Sequence, residues 1–161
     1  MNRHGWSSPV LLIVVAAFSF AAVGAALVSQ YYFDMQPCPW CTFQRLLFIV
    51  TGVLALVAAV MPNVLQRLLA LLAAAAALGG VASALWQHFV AAASDSCNLT
   101  FADRVMQDLG LFSLAPAVFS PTASCAEAAV KVLGISYEFF SLALFALAAA
   151  ICLRAVFRRG R

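Results

Sequence analysis

Four long runs almost without charge dominate this chain: Val10–Val28, Leu46–Met61, Leu68–Val90 and Phe139–Leu153. Stretches of this length and apolarity match helices that cross a bilayer, for which about 20 residues suffice. With 65% hydrophobic and 9% charged residues over 161 positions, the chain does not fit a soluble globule. The expected architecture is an all-α membrane protein, an antiparallel four-helix transmembrane bundle forming one integral-membrane domain over residues 1–161. Its spans are expected near 10–29, 43–61, 68–90 and 137–156, with two loops, 30–42 and 91–136, on one side. The first run also has features of a cleavable signal, a basic start and small residues from Ala22 to Ala26. Its length, and the need for a first helix in the bundle, favour a span.

Pro62-Asn63 closes the second run, and the short link around Arg67 implies antiparallel neighbours. The alanine-rich third run carries Gly79-Gly80, and Gly79 with Ser83 fits the small-xxx-small spacing that lets helices approach closely in lipid. Four spans place Arg3, Arg67, Arg154, Arg158, Arg159 and Arg161 on one side. The other side carries Arg104 and Lys131, Arg45 at the membrane lip, and all the acidic residues. The positive-inside bias puts both termini in the cytoplasm and both cysteine-bearing loops outside. In a bacterium that is the periplasm, where disulfides persist. The net charge of +3 carries no basic, aromatic-interleaved patch, so no nucleic-acid partner is expected.

The chemistry concentrates in Pro37-Cys38-Pro39-Trp40-Cys41-Thr42-Phe43-Gln44-Arg45. Thiols in a Cys-x-x-Cys can close a small disulfide, and one of the reduced pair tends to have a depressed pKa. Pro37 and Pro39 are expected to keep the backbone non-helical up to Cys41. A helix starting there puts Cys41 in its first turn, where the dipole favours a thiolate. Arg45, one turn on, adds a fixed positive charge on the same face. An arginine at this depth can instead merely snorkel to the interface.

The long loop brings Cys97 and Cys125. They could form a structural disulfide, or exchange with the first pair through mixed disulfides. Four thiolates could also bind zinc, although zinc sites usually close with two knuckle-like pairs. Haem attachment fails because Thr42 stands where a histidine is required. Cys152, in the fourth run, reads as a small buried hydrophobe. Thr100 and Asp103 open a short amphipathic helix whose apolar stripe is Phe101, Val105, Leu109 and Phe112. It is expected to lie at the membrane interface or against the loop. Asn98-Leu99-Thr100 also fits a glycosylation sequon, a common accident.

The order of these features resembles the DsbB family of bacterial inner-membrane disulfide-bond-forming oxidoreductases. Pro37-Cys38-Pro39-Trp40-Cys41 with Phe43-Gln44-Arg45 matches its first motif, and Cys125-Ala126-Glu127 with Leu133-Gly134-Ile135-Ser136 resembles the segment before its last span. Tyr137-Glu138-Phe139 lacks the Pro and Trp often found there. The resemblance covers essentially the whole chain. It implies catalytic Cys38, Cys41, Cys97 and Cys125, and a bound ubiquinone or menaquinone. It also implies a periplasmic DsbA-like thioredoxin-fold partner. Cys97 is implied to form the mixed disulfide with that partner, after which Cys125 attacks Cys38 and Cys41 is released beside the quinone. DsbA-type oxidants stand at about −120 mV, so a more oxidising membrane sink is needed. Arg45, His88 and Gln87, level with one another at the outer rim, are the candidates to contact the quinone. The competing functions are a paralogue serving a dedicated partner, a membrane metal-handling protein, and a helper whose disulfides never turn over.

Overall fold

A computed structural model describes residues 7–93, 100–132 and 134–157. Arg3, Arg158, Arg159, Arg161 and Asn98, used above for topology and the sequon, lie outside the described residues. Four helices are long and apolar enough to cross a membrane: α1 (Ser8–Tyr32), α2 (Pro39–Val60), α3 (Asn63–Trp86) and α7 (Tyr137–Phe157). A π-helical turn, Gln87–Ala91, extends α3. Between α3 and α7 lie α4 (Phe101–Asp108), α5 (Leu111–Leu114), α6 (Pro116–Phe119) and a hairpin of β1 (Lys131–Val132) and β2 (Ile135–Ser136). α1 packs on α2, α2 on α3 and α3 on α7, and a thinner α1–α7 contact closes the ring.

Packing runs opposite to a water-soluble bundle. Apart from Gln66 in its first turn, the buried residues of α3 are the small Ala70, Ala73, Ala74, Ala77, Gly80, Ser83 and Ala84, whereas Leu68, Leu71, Leu72 and Leu78 are exposed. Lipid gives large apolar side chains no reason to turn inward, so close backbone approach decides which face is buried. The small residue that matters is Gly80, which corrects the expectation for Gly79. A Cβ on Gly80 would meet the Phe145 ring at 2.3–2.5 Å, while one on Gly79 would meet nothing within 4 Å. Phe145, on α7, in turn stacks on Phe48 of α2 with ring centroids 3.7 Å apart.

Two further expectations change. α2 starts at Pro39, two residues before Cys41, with Cys38 as its N-cap. Proline lacks only an N–H that the first helical turn leaves unpaired anyway, so Pro39 initiates the helix instead of delaying it. In α4 the capping box of Thr100 and Asp103 forms as expected. Its buried face is Ala102, Asp103 and Met106, while Phe101 and Leu109 of the apolar stripe are exposed. α4 packs against α2, with Ala102 in the cluster around Cys38 and the Phe101 ring, although exposed, beside Trp40 and Phe43. The hairpin has no counterpart in the expectations; it turns through Gly134, whose φ of 83° suits a residue without Cβ.

Gly80→Ala should destabilise the bundle by about 1–3 kcal/mol, since the Phe145 ring must move. Gly79→Ala should be neutral or slightly stabilising. Denaturant titration of both variants in detergent measures the difference.

Candidate active site

The cysteine-bearing end of the bundle is assembled from the start of α2 and the loop before α7. Cys38 is fully buried, and its sulfur accepts the N–H of Cys41 at 3.2 Å. The Cys38 and Cys41 sulfurs face each other at 2.7 Å. On its other side Cys38 meets Cys125, in a small cluster with Trp40, Ala91 and Ala102.

Backbone hydrogen bonds explain why residues so distant in sequence meet. The Pro37 carbonyl accepts the N–H groups of Thr122 at 2.9 Å and Ala123 at 3.3 Å. The Thr122 hydroxyl adds a bond to Gln36 Oε1 at 2.6 Å. Two residues on, Ser124 and Glu127 close a reciprocal turn around Cys125: Ser124 N–H donates to Glu127 Oε2 at 2.8 Å, and Glu127 N–H donates to Ser124 Oγ at 3.3 Å. The Ser124 N–H and hydroxyl, both donating to Oε2, hold the Glu127 carboxyl below its usual range. Cys97 lies outside the described residues.

The Cys38 thiol is pushed well above the ordinary thiol range, because its proton is shared towards the Cys125 and Cys41 sulfurs and because it is buried. Cys125 is pulled down by the same contact with Cys38, against its own burial. Thiolate character among the loop thiols therefore falls on Cys125, the side from which an attack on Cys38 would come.

Behind Cys41 lies a cavity of about 300 Å³. Its walls come from α1, α2, α7 and the hairpin, and are mostly apolar, with Ala22, Val23, Phe48 and Leu144 among them. Polar groups converge at the cysteine end. Gln87, in the π-helical turn, donates to Cys41 Sγ at 3.3 Å and accepts from Gln44 Nε2 at 2.6 Å. π-helical turns recur at functional sites, where the extra residue re-aims a side chain.

Arg45 does not snorkel. It is 5% exposed and lines the cavity. Its Nη1 donates to Gln30 Oε1 at 2.7 Å and to the Val118 carbonyl at 2.9 Å, and its Nη2 to the Ala26 carbonyl at 3.4 Å. His88 is not among the lining side chains; its Nδ1 lies 2.7 Å from Oε1 of Glu138, which is. The structure thus brings together Cys38, Cys41, Cys125, Arg45 and Gln87, with His88 one step back. Gln44, Tyr137 and Glu138 were missed, although polar side chains within or at the edge of an apolar run are the signal that finds them.

Thiols poised to pass a disulfide from a loop to the edge of a membrane bundle place the chain among membrane thiol–disulfide oxidoreductases. Residues 8–155 match the family model described as "Disulfide bond formation protein DsbB". The chain is 33% identical to disulfide bond formation protein B of Cupriavidus metallidurans over 84% of each chain. It is 33% identical to that of Stutzerimonas stutzeri over 95% of this chain and 98% of the relative. It is also 30% identical to disulfide bond formation protein B 1 of Pseudomonas syringae pv. syringae, over 93% and 90%. The chain belongs to the DsbB family of membrane disulfide bond formation proteins. The metal-handling alternative has no support among these relatives.

With all thiols reduced, alkylation should modify Cys125 at lower pH than Cys38. In Cys38→Ala, the pH midpoint for Cys125 should rise towards that of an ordinary thiol, because the hydrogen bond favouring its thiolate is gone. Mass spectrometry of protein alkylated across a pH series checks both.

Proposed function

We propose that this protein reoxidises a periplasmic DsbA-like thioredoxin-fold oxidase and passes the electrons to ubiquinone or menaquinone in the bacterial inner membrane. The carrying observation is the position of Cys38, with Cys125 on one side and, on the other, Cys41 opening onto an apolar cavity. Cys97 takes the mixed disulfide with the partner, as in the family pattern. Formation of that mixed disulfide breaks a Cys97–Cys125 bond and expels Cys125, which attacks Cys38 across the contact described above and releases Cys41; the partner's second thiol then displaces Cys97.

The cavity suits a quinone ring. Its volume lies at the lower end for small-molecule sites, its walls are apolar, and a few polar groups meet at one end. A bound quinone supplies the two-electron, two-proton sink. Arg45 and Gln87 hold the end of the cavity nearest Cys41: Arg45 as a fixed cation, and Gln87 as a donor that keeps the Cys41 sulfur facing the cavity. Both termini are cytoplasmic and the cysteine end periplasmic, as the distribution of basic residues supports.

Purified protein given the reduced thioredoxin-fold oxidase and ubiquinone should lose quinone absorbance in proportion to partner oxidised. Cys41→Ser should abolish quinone reduction, and Cys125→Ser should accumulate a partner disulfide through Cys97. Intact protein that oxidises no partner and reduces neither quinone type would rule the proposal out.

A further inference from the structure

Dithiol oxidation releases two protons, and a quinone takes up two electrons and two protons. The electrons have a path through the sulfurs; the protons need one of their own. Of the polar groups lining the cavity besides the reacting Cys41 thiol, Arg45 is a fixed cation, Gln36, Gln44 and Gln87 are amides, and Ser29, Ser141 and Tyr137 bring hydroxyls. None of these trades protons readily near neutral pH. Among the described residues Glu138 is the one carboxyl on the wall. It is 5% exposed and sits in the first turn of α7. Its Oε1 lies 2.7 Å from Nδ1 of His88, across the α3–α7 contact. His88 is 31% exposed, at the point where α3 gives way to the loop, with its ring against Phe139 and Phe89. The pair therefore runs from the cavity to the surface at the cysteine-bearing end. A first-turn acid also stabilises a helix through its dipole. That role does not require it to face a cavity or to reach an imidazole on another helix.

We propose that Glu138 and His88 form a proton path between the aqueous side at the cysteine-bearing end and the cavity, with Glu138 as the terminal donor. Glu138 holds a proton on its carboxyl and gives it to the acceptor oxygen nearest the wall. His88 returns a proton from Nδ1 to Glu138 Oε1, and water replaces it on the ring. Two such deliveries match the two protons released to the same aqueous side by the oxidised thiols, so electrons and protons balance. The inference rests on the quinone-dependent reading above.

The test uses full-length protein with its cysteines pre-reduced, mixed with short-chain ubiquinone in a stopped-flow instrument across the neutral pH range. The titratable and charged groups facing Glu138 are Cys41 and Arg45 on α2, His88 on the π-helical turn, and Tyr137 beside it; the wall from α1 contributes none. All are retained in every variant. Wild type should show a rate nearly independent of pH. Glu138→Gln should be slower by about a hundredfold, a general-acid loss. Its rate should fall as pH rises, because water must then supply the proton, and added formate should restore it. Glu138→Asp should keep the flat profile at a reduced rate, which covers the case in which the glutamine variant does not fold. In quinone-free protein, the nitrogen NMR signal of His88 Nδ1 should shift in Glu138→Gln, since its partner oxygen at 2.7 Å is replaced by an amide.

Wild type that reduces quinone, beside a glutamine variant of equal rate and flat profile, would overturn the path and leave the function standing. So would an unchanged His88 Nδ1 signal. Wild type that reduces no quinone would overturn the function, and the path with it.

Discussion

A guanidinium inside the rim of an apolar bundle must have its protons accepted, or its burial would be prohibitive. Arg45 meets that demand by drawing on separate parts of the chain: Gln30 and the Ala26 carbonyl from α1, and the Val118 carbonyl from the long loop. The requirement organises the whole cysteine-bearing end. Satisfying one charge pins the end of α1 against α2 and holds α6 down over the bundle. The cavity lies under that arrangement, and its one fixed positive charge is the group that assembled it.

The second clamp is made of backbone. The bonds from Thr122 and Ala123 to the Pro37 carbonyl are independent of side-chain identity at the donors, and they fall one residue before Cys38 and two and three before Cys125. Because both cysteines follow their clamp so closely, little freedom remains in how their sulfurs meet. Trp40 roofs the result, with its ring centroid 6.4 Å from that of Trp86 and 6.5 Å from that of Phe101. α4 is therefore part of the lid over the thiols as well as an interfacial element. Its capping box fixes where that lid begins.

Much of this was legible in the sequence, for identifiable reasons. The four spans follow from composition alone, because lipid tolerates so few alternatives. The motif from Pro37 to Arg45 announces itself through residue types that are rare at the edge of a span. The errors have physical causes too. Pro39 was read as a helix breaker because proline restrains the residue before it, yet at the first helical position the same ring is preorganised for helix. Gly79 and Gly80 are indistinguishable by spacing, and only the placement of Phe145 on another helix separates them. The Pro37 clamp could not be foreseen, since backbone bonds between loops leave no pattern in side chains. Glu138 was passed over as the edge of a run, because a boundary acid is ordinarily an interfacial anchor.

The start of α2 separates two kinds of chemistry that would interfere if they shared one space. Cys38 precedes the helix and faces the loop, where exchange needs a neighbouring sulfur and a buried, unreactive resting thiol. Cys41, one turn later, faces the cavity, where Gln87 reaches it from α3. A step of three residues along the chain thus separates a sulfur packed against the loop from one that lines the cavity. Among the described residues Cys38 stands between Cys125 and Cys41, packed with Trp40. Of the described cysteines, Cys41 alone lines the cavity, while Cys38 and Cys125 lie in the cluster on its loop side. Helix phase and the lid thus set which sulfur faces the loop and which faces the cavity.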